Sequence, residues 1–196
     1  MAQSLKQIRE DAKRCRDCPL WANATQTVFG AGDPHARVML VGEQPGDEED
    51  RKGLPFIGPA GRLLDRALEA AGVDRSHVYI TNAVKHFKWQ LRGKRRLHKT
   101  PAQREIEACR QWLEREVAAV RPQVIVCLGA TAARSVISRD FKVSTMRGRF
   151  VASALAPRVF ATLHPSALLR LKDEKEKEAA FEQLVGDLKL INKALR

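Results

Sequence analysis

Four polar side chains stand where short apolar runs give out. Glu43 and Gln44 follow residues 37–42, Asn82 closes 77–82, and His164 follows 158–163. A carboxylate can orient a nucleophile or offset a cation, and an amide offers a donor beside an acceptor. A neutral imidazole offers one nitrogen of each kind. Each residue alone has an ordinary explanation: a solvated loop carboxylate, a strand-end turn residue, a hydrogen-bonded core histidine. Their joint occurrence at matching positions favours a ligand site. Sulfur forms a second group. Cys15 and Cys18 make a C-x2-C pair, and Cys109 and Cys127 follow with seventeen residues between them. Such a pair gives two ligands from one turn, and two distant cysteines can complete a tetrahedral S4 set for zinc or an iron–sulfur cluster. The later two are equally ordinary as buried thiols, and spacing does not separate zinc from iron.

The elements that must hold these residues are readable from periodicity. Runs 37–42, 77–82, 123–129 and 158–163 read as buried strands. Helices are expected over 4–14, from Pro59 to a stop at Gly72 (Leu64, Ala67, Leu68 and Ala71 facing inward), and over 102–120. Another should run through about 137, and a C-terminal one carries Phe181, Leu184, Leu188 and Ile191 on one face. Strands alternating with helices predict a single α/β domain over 1–196, in three α/β/α layers around a central parallel sheet of about four strands. Residues 42–61 and 85–101 read as loops, and a hairpin is expected near 149–155. Ligands of open parallel sheets bind outside the carboxyl ends of the strands, where Glu43, Gln44, Asn82, Gly129 and His164 all fall.

The formal net charge of +12, spread along the chain, favours a polyanionic partner, most commonly nucleic acid. No apolar run approaches the ~20 residues of a membrane span, and the charged N-terminus lacks a secretory h-region. A cytoplasmic monomer with reduced cysteines is expected.

Taken together, GEQPGDEEDRKGLPFIGPAGRLLD (42–65), TNAVKHFKW (81–89), HPSALLR (164–170), the C-x2-C pair and the two later cysteines resemble the iron–sulfur (family 4) uracil-DNA glycosylases. They resemble the X-type relatives of that family more closely, and over nearly the whole chain. Gln44 stands where family 4 usually has alanine in GEAPG. The inserted GKRRLHKTP resembles the X-type KRRIH loop, with Leu97 in place of isoleucine. The resemblance implies the uracil-DNA glycosylase superfamily fold, a [4Fe–4S] cluster on Cys15, Cys18, Cys109 and Cys127, and excision of uracil flipped out of DNA, single-stranded DNA being preferred. It implies a uracil pocket of Gly42, Gln44, Phe56, Asn82 and His164. There Phe56 stacks on the base, Asn82 reads O4 and N3–H, and His164 donates to O2, with Gln44 also in the catalytic group. Lys94, Arg95, Arg96 and Arg170 are expected on the DNA backbone. His98, the one imidazole on the insert, is expected to attack C1′ in place of water and leave a covalent protein–DNA product, oriented and charge-balanced by Glu43. The alternatives are a multiple-turnover glycosylase using water and a non-catalytic iron–sulfur DNA-binding module.

Overall fold

The computed structural model describes residues 3–196. In chain order the strands are β1 (Ala31–Gly32), β2 (Val38–Gly42), β3 (Val78–Asn82), β4 (Trp89–Arg92), β5 (Arg95–His98), β6 (Val124–Leu128) and β7 (Arg158–Thr162). Five of them form the central sheet in the order β1-β3-β2-β6-β7, while β4 and β5 pair separately. The four expected strands are the parallel ones, and β1 adds a short antiparallel edge to β3.

The helices are α1 (Leu5–Lys13), α2 (Asp47–Lys52), α3 (Pro59–Ala70), α4 (Gln103–Val120), α5 (Ala130–Val136), α6 (Val143–Met146), α7 (Pro165–Leu168), α8 (Glu174–Leu188) and α9 (Leu190–Leu195). Because β2, β3 and β6 are buried at every position, they read as unbroken apolar runs rather than alternating ones. Alternate side chains still serve opposite faces. Val38 and Leu40 pack with Leu64 and Leu68 of α3 and with Leu184 and Leu188 of α8. Met39 and Val41 pack with Leu113 and Val117 of α4 and with Ala132 and Val136 of α5. Each such side chain contributes about 1.5–3 kcal/mol on burial, which fixes the sheet between its two helical layers. A third cluster joins Ile8 and Ala12 of α1 to Ile106 and Trp112 of α4.

Three segments differ from the sequence reading. The Gly/Pro-rich segment after β2 contains α2, whose acidic first turn and basic last turn suit the helix dipole and which stops at Gly53 in the left-handed region. The basic segment after β3 is the hairpin β4–β5, closed by a two-residue turn with Gly93 at φ +60°. The hairpin expected near 149–155 is absent from the described residues; Val151 makes a lone bridge to Val159, and Phe150 meets Phe160 edge-on.

Sheet order and register locate the site. After β2 the chain moves outward to β3, then returns to the far side of β2 as β6, which opens a crevice at the carboxyl end of β2. Gly42 is level with Asn82, and Leu128 with Thr162, so Glu43, Asn82, Gly129 and His164 leave the sheet at one end.

Candidate active site

A cavity of about 710 Å³ opens at that end, and Glu43, Gln44, Phe56, Asn82, His98 and His164 are among the residues lining it. Its floor depends on a missing side chain. A Cβ at Gly42 would come within 2.5 Å of the Phe56 ring and would strike Asn82 Oδ1, so only glycine lets both groups reach the cavity. Phe56 sits at φ +55°, a conformation that costs a non-glycine residue about 1–3 kcal/mol and is held by its surroundings. Buried Glu49 supplies that support: Oε1 accepts from Ile57 N at 3.1 Å and Gly58 N at 2.7 Å, and Oε2 from Gly46 N at 3.0 Å. The two ends of the loop carrying Phe56 are thus tied to one carboxylate.

Asn82 is 2% exposed, and its Oδ1 has no hydrogen-bond partner among the described residues. A buried acceptor left unpaired costs about 1–3 kcal/mol, so a ligand donor here would be well recompensed. The backbone beneath is immobilised. Lys85 Nζ donates to Asn82 O at 2.7 Å, to Thr81 Oγ1 at 2.7 Å and to Glu116 Oε2 at 2.5 Å, using all three of its hydrogens. Glu116 also accepts from Tyr79 Oη and Gly30 N, each at 2.9 Å. This buried pair was not singled out from the sequence, where Lys85 looks like one more basic residue.

His164 caps α7, its Nδ1 accepting from Ser166 N at 3.1 Å. That bond leaves the hydrogen on Nε2. Enclosure by protein lowers the His164 pKa to about 4, His98 and Arg170 lowering it and Glu43 opposing. At neutral pH it is therefore an uncharged N–H donor on the cavity wall, 5.9 Å from the Phe56 ring between centroids. A Cβ at Gly129, which has φ +87°, would crowd His164 Cβ to 2.8 Å, so that glycine too is needed.

Glu43 lies opposite. Its Oε1 is 3.2 Å from His98 Nε2, and Oε2 accepts from Thr131 Oγ1 on α5. Burial pushes the Glu43 carboxyl up, but the bonds from His98 and Thr131 outweigh it, and the group is held below the usual carboxylate range. Thr131 was missed from the sequence because a threonine in a helix carries no signal of a partner 88 residues away. The contact between Glu43 and His98 joins the strand-end pocket to the hairpin.

Two expected roles change. The Gln44 amide does not stay free for a base: Nε2 donates to Lys88 O at 3.2 Å and Lys99 O at 3.1 Å, while Oε1 accepts from Lys88 N at 3.0 Å. It ties together both feet of the hairpin that carries His98. Arg96 does not face solvent as a phosphate contact. Its side chain is 12% exposed, bonded to Asp47 Oδ1 at 2.5 Å and Asp50 Oδ2 at 2.7 Å, and it stacks on Phe87 and Trp89. Lys94, Arg95 and Arg170 remain exposed, Arg170 at the cavity rim.

Sulfur is gathered only in part. Cys15, Cys18 and Cys109 share the third core cluster, where Trp112 Nε1 donates to Cys15 Sγ at 3.2 Å and Lys85 N to Cys109 Sγ at 3.5 Å. The Cys109 thiol acts on Cys18 and lowers its pKa to about 6. Cys127 is elsewhere: it points into the second cluster from the middle of the sheet, among Met39, Val41 and Ala161. The expected set of four cysteines therefore does not converge. Its spacing was compatible with ligation, but a cysteine on a central strand is first of all a small core residue. All four are free thiols. Among the described residues no three His, Cys, Asp or Glu side chains close around a single ion, and no helix is long and apolar enough to cross a membrane.

A parallel sheet with a strand-end cavity that presents an amide, a neutral imidazole and a carboxylate defines an α/β protein with a polar ligand site at the carboxyl ends of its strands. A family model described as the uracil DNA glycosylase superfamily matches residues 29–189, and the chain belongs to that superfamily. It is 35% identical over 178 residues to the type-4 uracil-DNA glycosylase of Thermotoga maritima, covering 90% of this chain and 89% of the relative. It is 36% identical over 194 residues to the type-4 enzyme of Archaeoglobus fulgidus, covering 95% and 94%. The type-5 uracil-DNA glycosylase of Pyrobaculum aerophilum is 32% identical over 180 residues, covering 84% and 76%.

Proposed function

We propose that this protein excises uracil from DNA, single-stranded DNA most readily, and that His98 then captures the sugar. Flipping a base costs a few kcal/mol and least in a single strand. In the cavity the base stacks on Phe56, Asn82 Oδ1 accepts its N3–H, and Asn82 Nδ2 donates to O4. Cytosine carries the reverse pattern and leaves both ends of the amide unmatched. As the N1–C1′ bond breaks, its electron pair leaves with uracil, and His164 Nε2–H donates to the charge growing on O2. A preorganised donor of this kind contributes about 3 kcal/mol.

The observation that carries the capture step is the contact between Glu43 and His98 at the cavity wall. The lone-pair nitrogen of His98 forms a bond to C1′, and the ring becomes an alkylated imidazolium whose charge the Glu43 carboxylate balances. Lys94, Arg95 and Arg170 would hold phosphates, whereas Arg96 and Gln44 would keep the hairpin in place. Cys15, Cys18 and Cys109 would hold an iron–sulfur cluster that ties the end of α1 to α4.

Incubation with uracil-containing single-stranded DNA followed by a denaturing gel tests this reading. A heat-stable shifted band supports capture. Free abasic DNA without a shift would assign Glu43 to activating water, and unchanged DNA would leave only a binding module.

A further inference from the structure

We infer that Thr131 is a positioning residue of the capture step, its hydroxyl fixing the Glu43 carboxylate so that His98 rather than water takes the sugar. The inference rests on the capture reading above. Thr131 is the second residue of α5 and is 6% exposed. Ala132, Ala133 and Val136 of the same helix pack in the second core cluster with Met39 and Val41 of β2. The helix is therefore seated on the strand that delivers Glu43. A β-branched side chain in a helix has few rotamers open to it. Glu43 follows β2 and Thr131 follows β6, and these two strands are hydrogen-bonded neighbours. The hydroxyl thus reaches the carboxylate from a fixed place.

An ionised carboxylate only accepts, so the Thr131 hydroxyl hydrogen goes to Glu43 Oε2. Glu43 Oε1 faces His98 Nε2 at 3.2 Å. Each oxygen has its own donor, one from the core and one from the hairpin. The titratable groups acting on Glu43 are His98 on β5 and His164 after β7, and both join Thr131 in favouring its ionised form.

This arrangement separates two fates of C1′. In capture, the imidazole lone pair bonds to C1′ as the N1–C1′ electron pair leaves with uracil, and the ring hydrogen stays against Glu43. In the water route, a water oxygen bonds to C1′ after the same departure, and its proton passes to Glu43. A carboxylate that already holds two donors is a weak proton acceptor, which disfavours water. The same two bonds keep it turned toward His98. Removing the Thr131 hydroxyl frees Oε2 for water and loosens the carboxylate at His98.

The test incubates the whole protein with uracil-containing single-stranded DNA and measures two products across pH. Covalent product is read on a denaturing gel, and abasic DNA by its cleavage in alkali. Thr131→Val should lower the ratio of captured to abasic DNA about tenfold, since one hydrogen bond to a charged group is lost. Thr131→Ala, which removes the same hydroxyl with a smaller side chain, should shift the ratio the same way, and Thr131→Ser should restore it. The acid limb of the captured fraction should also move to higher pH in Thr131→Val, because a carboxylate that loses a donor protonates more readily. A wild-type ratio in both Thr131→Val and Thr131→Ala, a Thr131→Ser ratio as low as theirs, or an unmoved acid limb would overturn the assignment. Abasic DNA with no covalent product from the wild type would instead overturn the capture reading beneath it.

Discussion

The floor of the cavity and the hairpin beside it are built in opposite ways. Asn82 closes a strand hydrogen-bonded on both sides, and the Lys85–Glu116 pair holds its backbone from beneath. The hairpin is a separate two-stranded unit, exposed along most of β4, and such a unit has little stability of its own in water. Gln44 at its feet and Arg96 on its inner side fasten it. On the proposed reading, base recognition would be part of the core, while capture would hang on a few polar ties. The difference predicts that the two activities can be separated by mutation.

The largest separation is expected from His98→Ala. It should abolish the covalent product on a denaturing gel while uracil release, followed by chromatography of the free base, continues. Loss of both together would mean that the hairpin is part of the pocket floor. Asn82→Ala should slow uracil release about 5- to 150-fold, the equivalent of about 1–3 kcal/mol for a lost buried amide contact. The fraction of excised sites captured should not change. Arg96→Ala leaves Asp50, whose side chain is fully buried, without its cation. Capture per uracil released should fall about tenfold, since a hydrogen bond to a charged group contributes about 1.5–3 kcal/mol. The smallest effect belongs to the hairpin tip: Lys94→Ala should lower the salt slope of DNA binding by about one unit and leave capture at saturation intact.

The pH dependence sharpens the same contrast. His164 must be neutral to donate from Nε2 while keeping Nδ1 on Ser166 N, and its pKa is lowered to about 4. Glu43 must be ionised, and its pKa is also lowered. The His164 requirement is met above about pH 4 and lost as pH falls through it, and the lowered pKa of Glu43 keeps that carboxylate ionised at neutral pH. The rate of uracil release should therefore stay level from pH 8 to about 5 and drop toward pH 4. A drop centred near an ordinary histidine value would place the charge change elsewhere.

Much of the cavity was legible because one rule, that ligands bind at the carboxyl ends of parallel strands, needs only the strands to be found. It selected Glu43, Asn82 and His164, and the structure brings all three to one end of the sheet. Arg96 was misread because a basic run looks the same whether its side chains face phosphate or a carboxylate. Asp47 and Asp50, which decide the matter, lie 49 and 46 residues away. The ties of Gln44 to the hairpin were hidden for a related reason, since an amide is defined by its partners. Cys127 failed differently: spacing describes where a chain can reach, whereas pairing within the sheet fixes where it is. Phe56 came from motif resemblance, and its left-handed backbone has no mark in the sequence.

The central claim is that His98 bonds to the sugar. Its most direct measurement is tandem mass spectrometry of peptides from the complex formed with uracil-containing single-stranded DNA, after nuclease digestion. The account predicts a deoxyribose-derived mass on the peptide spanning β5, fragmenting to His98. A sugar mass on any other residue, or an unmodified His98 peptide alongside fully released uracil, would contradict it.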